Sequence, residues 1–148
     1  MIYYLIASIL IAVAALFART KRAVLAAGIL FYAVQIAAAG LLLWGGLYDT
    51  TSAAFFTFDA LGTLFYLLLV VVSMYVFGHS EAYLQGEDLR SYRLYFALLM
   101  LLTTAIAGAY FANNLAVTWI FLEATTLCSA GIIYHRRTAQ ALRSEERR

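Results

Sequence analysis

The chain has 148 residues, of which 65% are hydrophobic and only 12% are charged, with no proline and a formal net charge of +2. A soluble domain of this size still exposes about a third of the surface of its unfolded chain. The polar side chains are too few to cover that surface. Composition therefore excludes a single soluble domain and predicts an all-α polytopic membrane protein.

The residues that usually carry chemistry are scarce. There is one cysteine, Cys128, which excludes an internal disulfide and a multi-cysteine metal site. The two histidines, His79 and His135, are far apart in sequence. No Walker loop, dinucleotide fingerprint, Ser/His/Asp arrangement or nucleic-acid motif is present. We therefore expect no catalytic residue, metal, cofactor or nucleic-acid partner for this chain.

Five apolar segments follow one another, each near the roughly 17–25 residues that a helix needs to cross the hydrocarbon core. They are Ile2–Ala18, Ala23–Leu47, Thr57–Gly78, Tyr92–Ala112 and Leu115–Tyr134. Polar connections lie at 19–22, 48–56, 79–91 and 113–114. We predict a five-helix transmembrane domain over residues 1–134 and a basic cytoplasmic tail over residues 135–148.

The basic residues predict the direction of the spans. All ten Lys and Arg residues fall in three short segments at the ends of the predicted spans or in the tail, and five spans place these segments on one side of the membrane. The segments contain Arg19, Lys21 and Arg22; Arg90 and Arg93; and Arg136, Arg137, Arg143, Arg147 and Arg148. The positive-inside rule then puts the N-terminus outside and the C-terminus in the cytoplasm.

The fourth and fifth segments are predicted to form a tightly packed hairpin. Only Asn113 and Asn114 join them, so they must run antiparallel. Small residues recur along both segments, and small residues let helix backbones approach closely in a membrane. They are Ala105, Gly108, Ala109 and Ala112 on the fourth, and Ala124, Cys128 and Gly131 on the fifth.

Glu123 is the one acidic residue in Leu115–Tyr134. It lies eight residues into the segment, about 12 Å along a helix, where an ionised side chain costs at least a few kcal/mol. Thr126 follows at i+3 and is placed to donate a hydrogen bond to it. Burial favours the neutral acid, so we expect Glu123, with Thr126, to take part in a proton or ion relay. The alternative is a permanently protonated Glu123 that pins two helices together.

Two further observations concern the acidic residues. No Lys or Arg lies in the membrane interior, so a basic partner for Glu123 is expected from another subunit. Asp59 falls near the start of the third segment, where a carboxylate can cap free backbone N–H groups. Asp59 is therefore either a helix cap or a secondary acid of the ion path.

Part of the sequence resembles a known family. The segment Phe56–Phe65 resembles an F-x-L-D-x-L-S-x-x-F motif, with Phe58 in place of Leu and Gly62 in place of Ser. The segment Trp119–Ser129 contains Leu122-Glu123-Ala124-Thr125-Thr126-Leu127. These motifs resemble the antiporter-like membrane subunits of the complex I superfamily, which includes NADH–quinone oxidoreductase, Mrp-type antiporters and energy-converting hydrogenases. The second motif is similar to the hydrogenase-4 and formate hydrogenlyase branch.

The resemblance implies a function. In that family the glutamate corresponding to Glu123 pairs with a lysine on the seventh helix and takes part in proton transfer. This sequence ends after its fifth segment and lacks that lysine, so it looks like the N-terminal part of a split or truncated subunit that a neighbouring subunit completes. The resemblance also implies other membrane subunits and lipid as partners, and a prokaryotic inner membrane.

We therefore expect a non-catalytic membrane subunit of a complex I-like or hydrogenase-like complex, with Glu123 in its proton or sodium path. Redox chemistry would lie in other subunits. Two alternatives stay open: a purely structural subunit that seals an interface, and a small homo-oligomeric ion carrier.

Overall fold

The computed structural model describes residues 1–45, 55–84 and 86–145, and it describes side chains only as far as Ile133. Within these ranges the chain forms five α-helices and no extended sheet. The helices are α1 Ile2–Leu16, α2 Lys21–Leu43, α3 Ala60–Tyr83, α4 Leu89–Phe111 and α5 Leu115–Glu145. The all-α prediction is confirmed.

Four of the helices are long and apolar enough to cross a membrane: α2, α3, α4 and the Leu115–Ile133 part of α5. The first helix is shorter than the predicted span, because it ends at Leu16. Its 15 residues reach only about 22 Å at the usual rise, against a hydrocarbon core of about 30 Å. Length and composition therefore support four spanning helices and one shorter apolar helix.

Short polar side chains cap the N-termini of the long helices. The Thr20 hydroxyl accepts a hydrogen bond from the Ala23 N–H at the start of α2, and the Asp88 carboxylate accepts one from the Arg90 N–H at the start of α4. The side-chain oxygen of Asn114 accepts one from the Ala116 N–H. Each bond satisfies a backbone donor that the helix cannot satisfy itself.

Two helices extend further into the predicted polar segments than expected. The loop expected over 79–91 shrinks to 84–88, because α3 continues to Tyr83 and Asp88 caps α4. Likewise, α5 continues past Tyr134 to Glu145, so the segment predicted as a tail begins as helix. Hydropathy marks where a helix leaves the apolar layer, and not where its hydrogen bonding stops. The predicted connection at 48–54, the end of the second span at 46–47 and residues 146–148 lie outside the described residues.

Helices α1 to α4 form one bundle. Within the described ranges α2 packs on α1, α3 and α4, and α4 also packs on α1 and α3. Helix α5 contacts α4 alone among the described helices. Two cores fill the bundle. One is lined by residues such as Phe31, Phe96 and Met100, and the other by residues such as Tyr66 and Phe111. Helix α5 thus lies against the outside of the bundle.

Two basic turns meet at one end of the bundle, which we call the basic end. The Lys21 ammonium donates to the Glu87 carbonyl at 2.6 Å, and the Arg93 guanidinium donates to the Ala18 carbonyl at 3.0 Å. These bonds join the turn between α1 and α2 to the turn between α3 and α4. The first two basic segments therefore lie at the same end of the bundle.

Candidate functional site on the outer face of helix α5

Close contacts determine how α5 lies on α4. A side chain added at Gly108 would overlap the ring of Phe121. Three turns further along α5, a Cβ at Gly131 would come within 2.9 Å of the Leu98 side chain. The two pairs have the same antiparallel register, so the predicted hairpin is confirmed. Small residues create the interface, as expected where apolar burial gives no net drive between helices.

This register turns the opposite face of α5 away from the protein. None of the span from Leu115 to Ile133 is buried within the chain. The large apolar side chains of the outward face are strongly exposed, with Trp119 at 63%, Ile120 at 61% and Leu127 at 71% of their maximum. Glu123 and Thr126 lie on this same face and are also exposed. We call this surface the outer face of α5.

The position of Glu123 corrects one expectation. The sequence predicts a buried carboxylate, because depth in the membrane was judged from position along the helix. In the structure Glu123 lies in the apolar part of α5, two turns from its start, but points outward and is exposed among the described residues. The position of a residue along a helix does not determine which way its side chain faces. For Glu123, the packing of α5 on α4 determines the facing direction. Burial of Glu123 therefore requires something other than the residues that the structure describes.

The Thr126 hydroxyl does not donate its hydrogen bond to the Glu123 carboxylate. Its hydroxyl donates to the main-chain carbonyl of Glu123 at 2.8 Å. The neighbouring hydroxyls behave in the same way, since Thr125 donates to the Leu122 carbonyl and Ser129 to the Thr126 carbonyl. Such back-bonding satisfies a hydroxyl inside its own helix. Across the residues whose side chains are described, none makes a hydrogen bond or ion pair with the Glu123 carboxylate.

The basic residues are too far along their helices to reach Glu123. Lys21 and Arg22 occupy the first turn of α2, and Arg90 and Arg93 lie in the first two turns of α4. All four are at the basic end, whereas Glu123 is two turns from the Asn113–Asn114 connection at the other end. The absence of an internal basic partner, inferred from the sequence, therefore holds for the part of the chain that the structure describes.

Asp59 caps a helix. Its carboxylate accepts a hydrogen bond from the Gly62 N–H at 3.1 Å, and its carbonyl accepts one from the Thr63 hydroxyl at 2.8 Å. Helices α3 and α5 make no contact within the described ranges, so Asp59 and Glu123 do not form one site. Asp59 instead lines an open pocket of about 370 Å³ between the ends of α2 and α3.

The sequence analysis missed a polar cluster inside the bundle. Gln35 of α2 is completely buried, and its side-chain oxygen accepts hydrogen bonds from the hydroxyls of Tyr4 and Tyr66. A single amide in the apolar stretch of α2 was the available signal. The tyrosines gave no signal of their own, because tyrosine is also the usual anchor at a membrane interface.

The wider comparison gives no family assignment. No family model matches the chain, and no curated protein and no solved structure is detectably similar to it. Within the described ranges no three His, Cys, Asp or Glu side chains are grouped so that they could hold a metal ion. The site therefore consists of one outward-facing carboxylate on a helix that is long and apolar enough to span a membrane.

Proposed function

We propose that the chain is a non-catalytic membrane subunit of a complex I-like or membrane-bound hydrogenase-like complex, and that Glu123 contributes to proton or sodium translocation where α5 meets a neighbouring subunit. The observation that carries the proposal is the outward position of Glu123 within the apolar span Leu115–Ile133, without a partner among the described residues. Catalysis of the redox reaction is assigned to other subunits.

The energetic cost of an ionised Glu123 supports a covering subunit. A carboxylate facing lipid at this depth must either stay protonated or cost at least a few kcal/mol. A basic group on an adjacent helix would offset that cost, because an opposite charge within hydrogen-bonding distance favours the ionised form. Intramembrane carboxylates typically face a protein interior or an aqueous cavity. Since none of the described residues buries Glu123, we propose that a second protein packs against it.

The resemblance of Leu122–Leu127 to hydrogenase-type antiporter-like subunits suggests which residue of the neighbouring subunit faces Glu123. It implies a neighbouring helix with a lysine opposite Glu123. We further propose that α1 also crosses the membrane, giving five spans with the N-terminus outside and the basic end in the cytoplasm of a prokaryote. The location of Lys21 and Arg93 at one end supports that orientation.

The test is Glu123→Gln in the intact complex in native membrane vesicles. The substitution keeps the shape and hydrogen bonding of the side chain but removes its charge and its exchangeable proton. We expect redox-driven proton or sodium uptake to fall at least tenfold, while the complex still assembles. The matched control is Thr126→Val, which removes a hydroxyl that bonds only to its own backbone and should leave uptake near the wild-type value. Normal uptake by an assembled Glu123→Gln complex would reject the relay.

A purely structural role is the second candidate, favoured by the breadth of the apolar outer face around Trp119, Ile120 and Leu127. It predicts that Glu123→Gln alters assembly at most.

A photo-crosslinking residue at Leu127 can identify the protein that packs against α5. A matched position is Val71 of α3, which is exposed to 68% but lies far from α5. Crosslinking to another subunit from Leu127 alone supports an α5 interface. Crosslinking to a second copy of this chain supports the homo-oligomeric carrier instead.

A further inference from the structure

A buried polar cluster lies between α1, α2 and α3, and none of its members is on α4 or α5. It consists of Tyr4, Ser8, Gln35 and Tyr66, which we call the Gln35 cluster. The Tyr4 hydroxyl donates to Gln35 Oε1 at 2.6 Å, and the Tyr66 hydroxyl lies 2.8 Å from the same oxygen and 3.1 Å from the Gln35 carbonyl. Ser8 lies one turn from Tyr4 on the same face of α1.

Two atoms of the cluster have unmet hydrogen-bonding capacity within the described part of the chain, although the Ser8 hydroxyl interacts with the Tyr4 hydroxyl. They are Gln35 Nε2, which carries two N–H donors, and Ser8 Oγ, which can donate and accept. Both residues are 0% exposed, so bulk water and lipid headgroups do not reach them. A buried donor with no acceptor is costly, and such groups in native proteins are normally satisfied by protein or by ordered water.

Turning the Gln35 amide round does not remove the deficit. The nitrogen would then face the Tyr4 and Tyr66 hydroxyls as a donor, and the oxygen would take the unpartnered place. Oxygen and nitrogen of an amide are interchangeable in this way. In either orientation one end of the amide, together with the Ser8 hydroxyl, requires a further polar group.

We infer that the Gln35 cluster holds an ordered water molecule inside the bundle, bound by the Gln35 amide and the Ser8 hydroxyl. The chemistry of the cluster selects this ligand. It contains no carboxylate to hold a cation, and it contains no Lys, Arg or His to hold an anion. Water both donates and accepts, and buried waters characteristically make about three hydrogen bonds to groups of this kind. This site is independent of Glu123 and of the proposed function.

The experiment is X-ray hydroxyl-radical footprinting of the full chain, purified in detergent, with labelling read by mass spectrometry. Radicals formed from a bound water modify the side chains beside it. Tyr66 is only 1% exposed, so labelling by bulk water should be negligible, yet a bound water should label it. Met100, which is 0% exposed within the other core, is the internal reference and should stay protected.

Two variants connect the label to the site. Ser8→Ala removes one ligand of the water, so we expect Tyr66 to lose most of its labelling and the thermal midpoint to fall. Ser73→Ala is the matched control, because Ser73 is also buried but its hydroxyl bonds to the Val70 carbonyl of its own helix at 3.2 Å. The control should leave the labelling of Tyr66 unchanged.

A dry cluster gives the opposite results. If the unpartnered atoms are truly dry, Tyr66 is as protected as Met100, and Ser8→Ala raises the thermal midpoint because it removes an unsatisfied group. Either result overturns the inference. Labelling of Tyr66 that persists unchanged in Ser8→Ala overturns it as well, since the water would then not be held at Ser8.

Discussion

Gly108 of α4 lies directly beneath the ring of Phe121 of α5, so closely that no Cβ fits between them. Phe121 also meets Phe56, at 6.1 Å between ring centres, in the segment that leads into α3. Because α5 touches no helix other than α4 within the described ranges, this contact sets the rotation of α5. It thereby directs Glu123 outward.

The first prediction concerns this contact. Gly108→Ala should destabilise the protein by about 1–3 kcal/mol, the usual cost of overpacking. The matched control is Gly78→Ala in α3, where nothing lies within 4 Å of the added methyl group. The control should be neutral or stabilising by up to about 1 kcal/mol, because alanine is the better helix former. Thermal unfolding in detergent measures both. Equal effects of the two substitutions would contradict the Gly108–Phe121 packing.

The second prediction concerns Gly28 of α2, where an added Cβ would overlap the ring of Phe77. That ring cannot easily move, because Tyr32 and Phe96 pack on it at 5.2 and 4.7 Å between ring centres. Gly28→Ala should lower the free energy of unfolding by about 1–3 kcal/mol.

A double mutant checks this explanation. Phe77→Leu shortens the side chain, so it should cost less in the Gly28→Ala background than alone, with a coupling of about 0.5–3 kcal/mol. The four proteins of the cycle are compared by their thermal midpoints. Additive effects would show that Gly28 acts through something other than the Phe77 ring.

The third prediction separates the two roles considered for Asp59. As a cap, it should tolerate Asp59→Asn, since asparagine also accepts a hydrogen bond from the Gly62 N–H. Asp59→Ala should cost about 0.5–2 kcal/mol. Ion uptake by the assembled complex should be unchanged in Asp59→Asn. A large loss of uptake in a stable Asp59→Asn protein would instead mark Asp59 as a secondary acid of the ion path.

The fourth prediction concerns the basic end. Arg93→Met removes the donor to the Ala18 carbonyl, and a hydrogen bond to a charged group contributes about 1.5–3 kcal/mol. We expect faster trypsin cleavage at Arg19 in the turn between α1 and α2, and at Lys21 and Arg22 in the adjoining first turn of α2. Arg90→Met is the control, because Arg90 is exposed on the preceding turn of α4. Equal cleavage rates in the two variants would show that the Arg93 bond does not hold the turn.

Some features could be read from the sequence because they are local. Unbroken apolar segments predict helices, and the Asn113–Asn114 connection is too short for anything but an antiparallel hairpin. The cap at Asp59 depends only on a carboxylate three residues before a free N–H. The shortness of α1 was harder to foresee, because Phe17 and Ala18 are as apolar as the helix itself, and hydropathy does not register where backbone hydrogen bonding stops.

The sequence by itself determined that the chain is helical and apolar, that one carboxylate lies well inside the last apolar segment, and that the basic residues lie at the ends of such segments or in the tail. Only the tertiary structure decided which way Glu123 faces and that Gln35, Tyr4 and Tyr66 meet. The physical reason is that helices in a membrane are apolar on the lipid side as well as on the protein side. Periodicity then cannot distinguish the two faces, whereas close contacts such as Gly108 with Phe121 can.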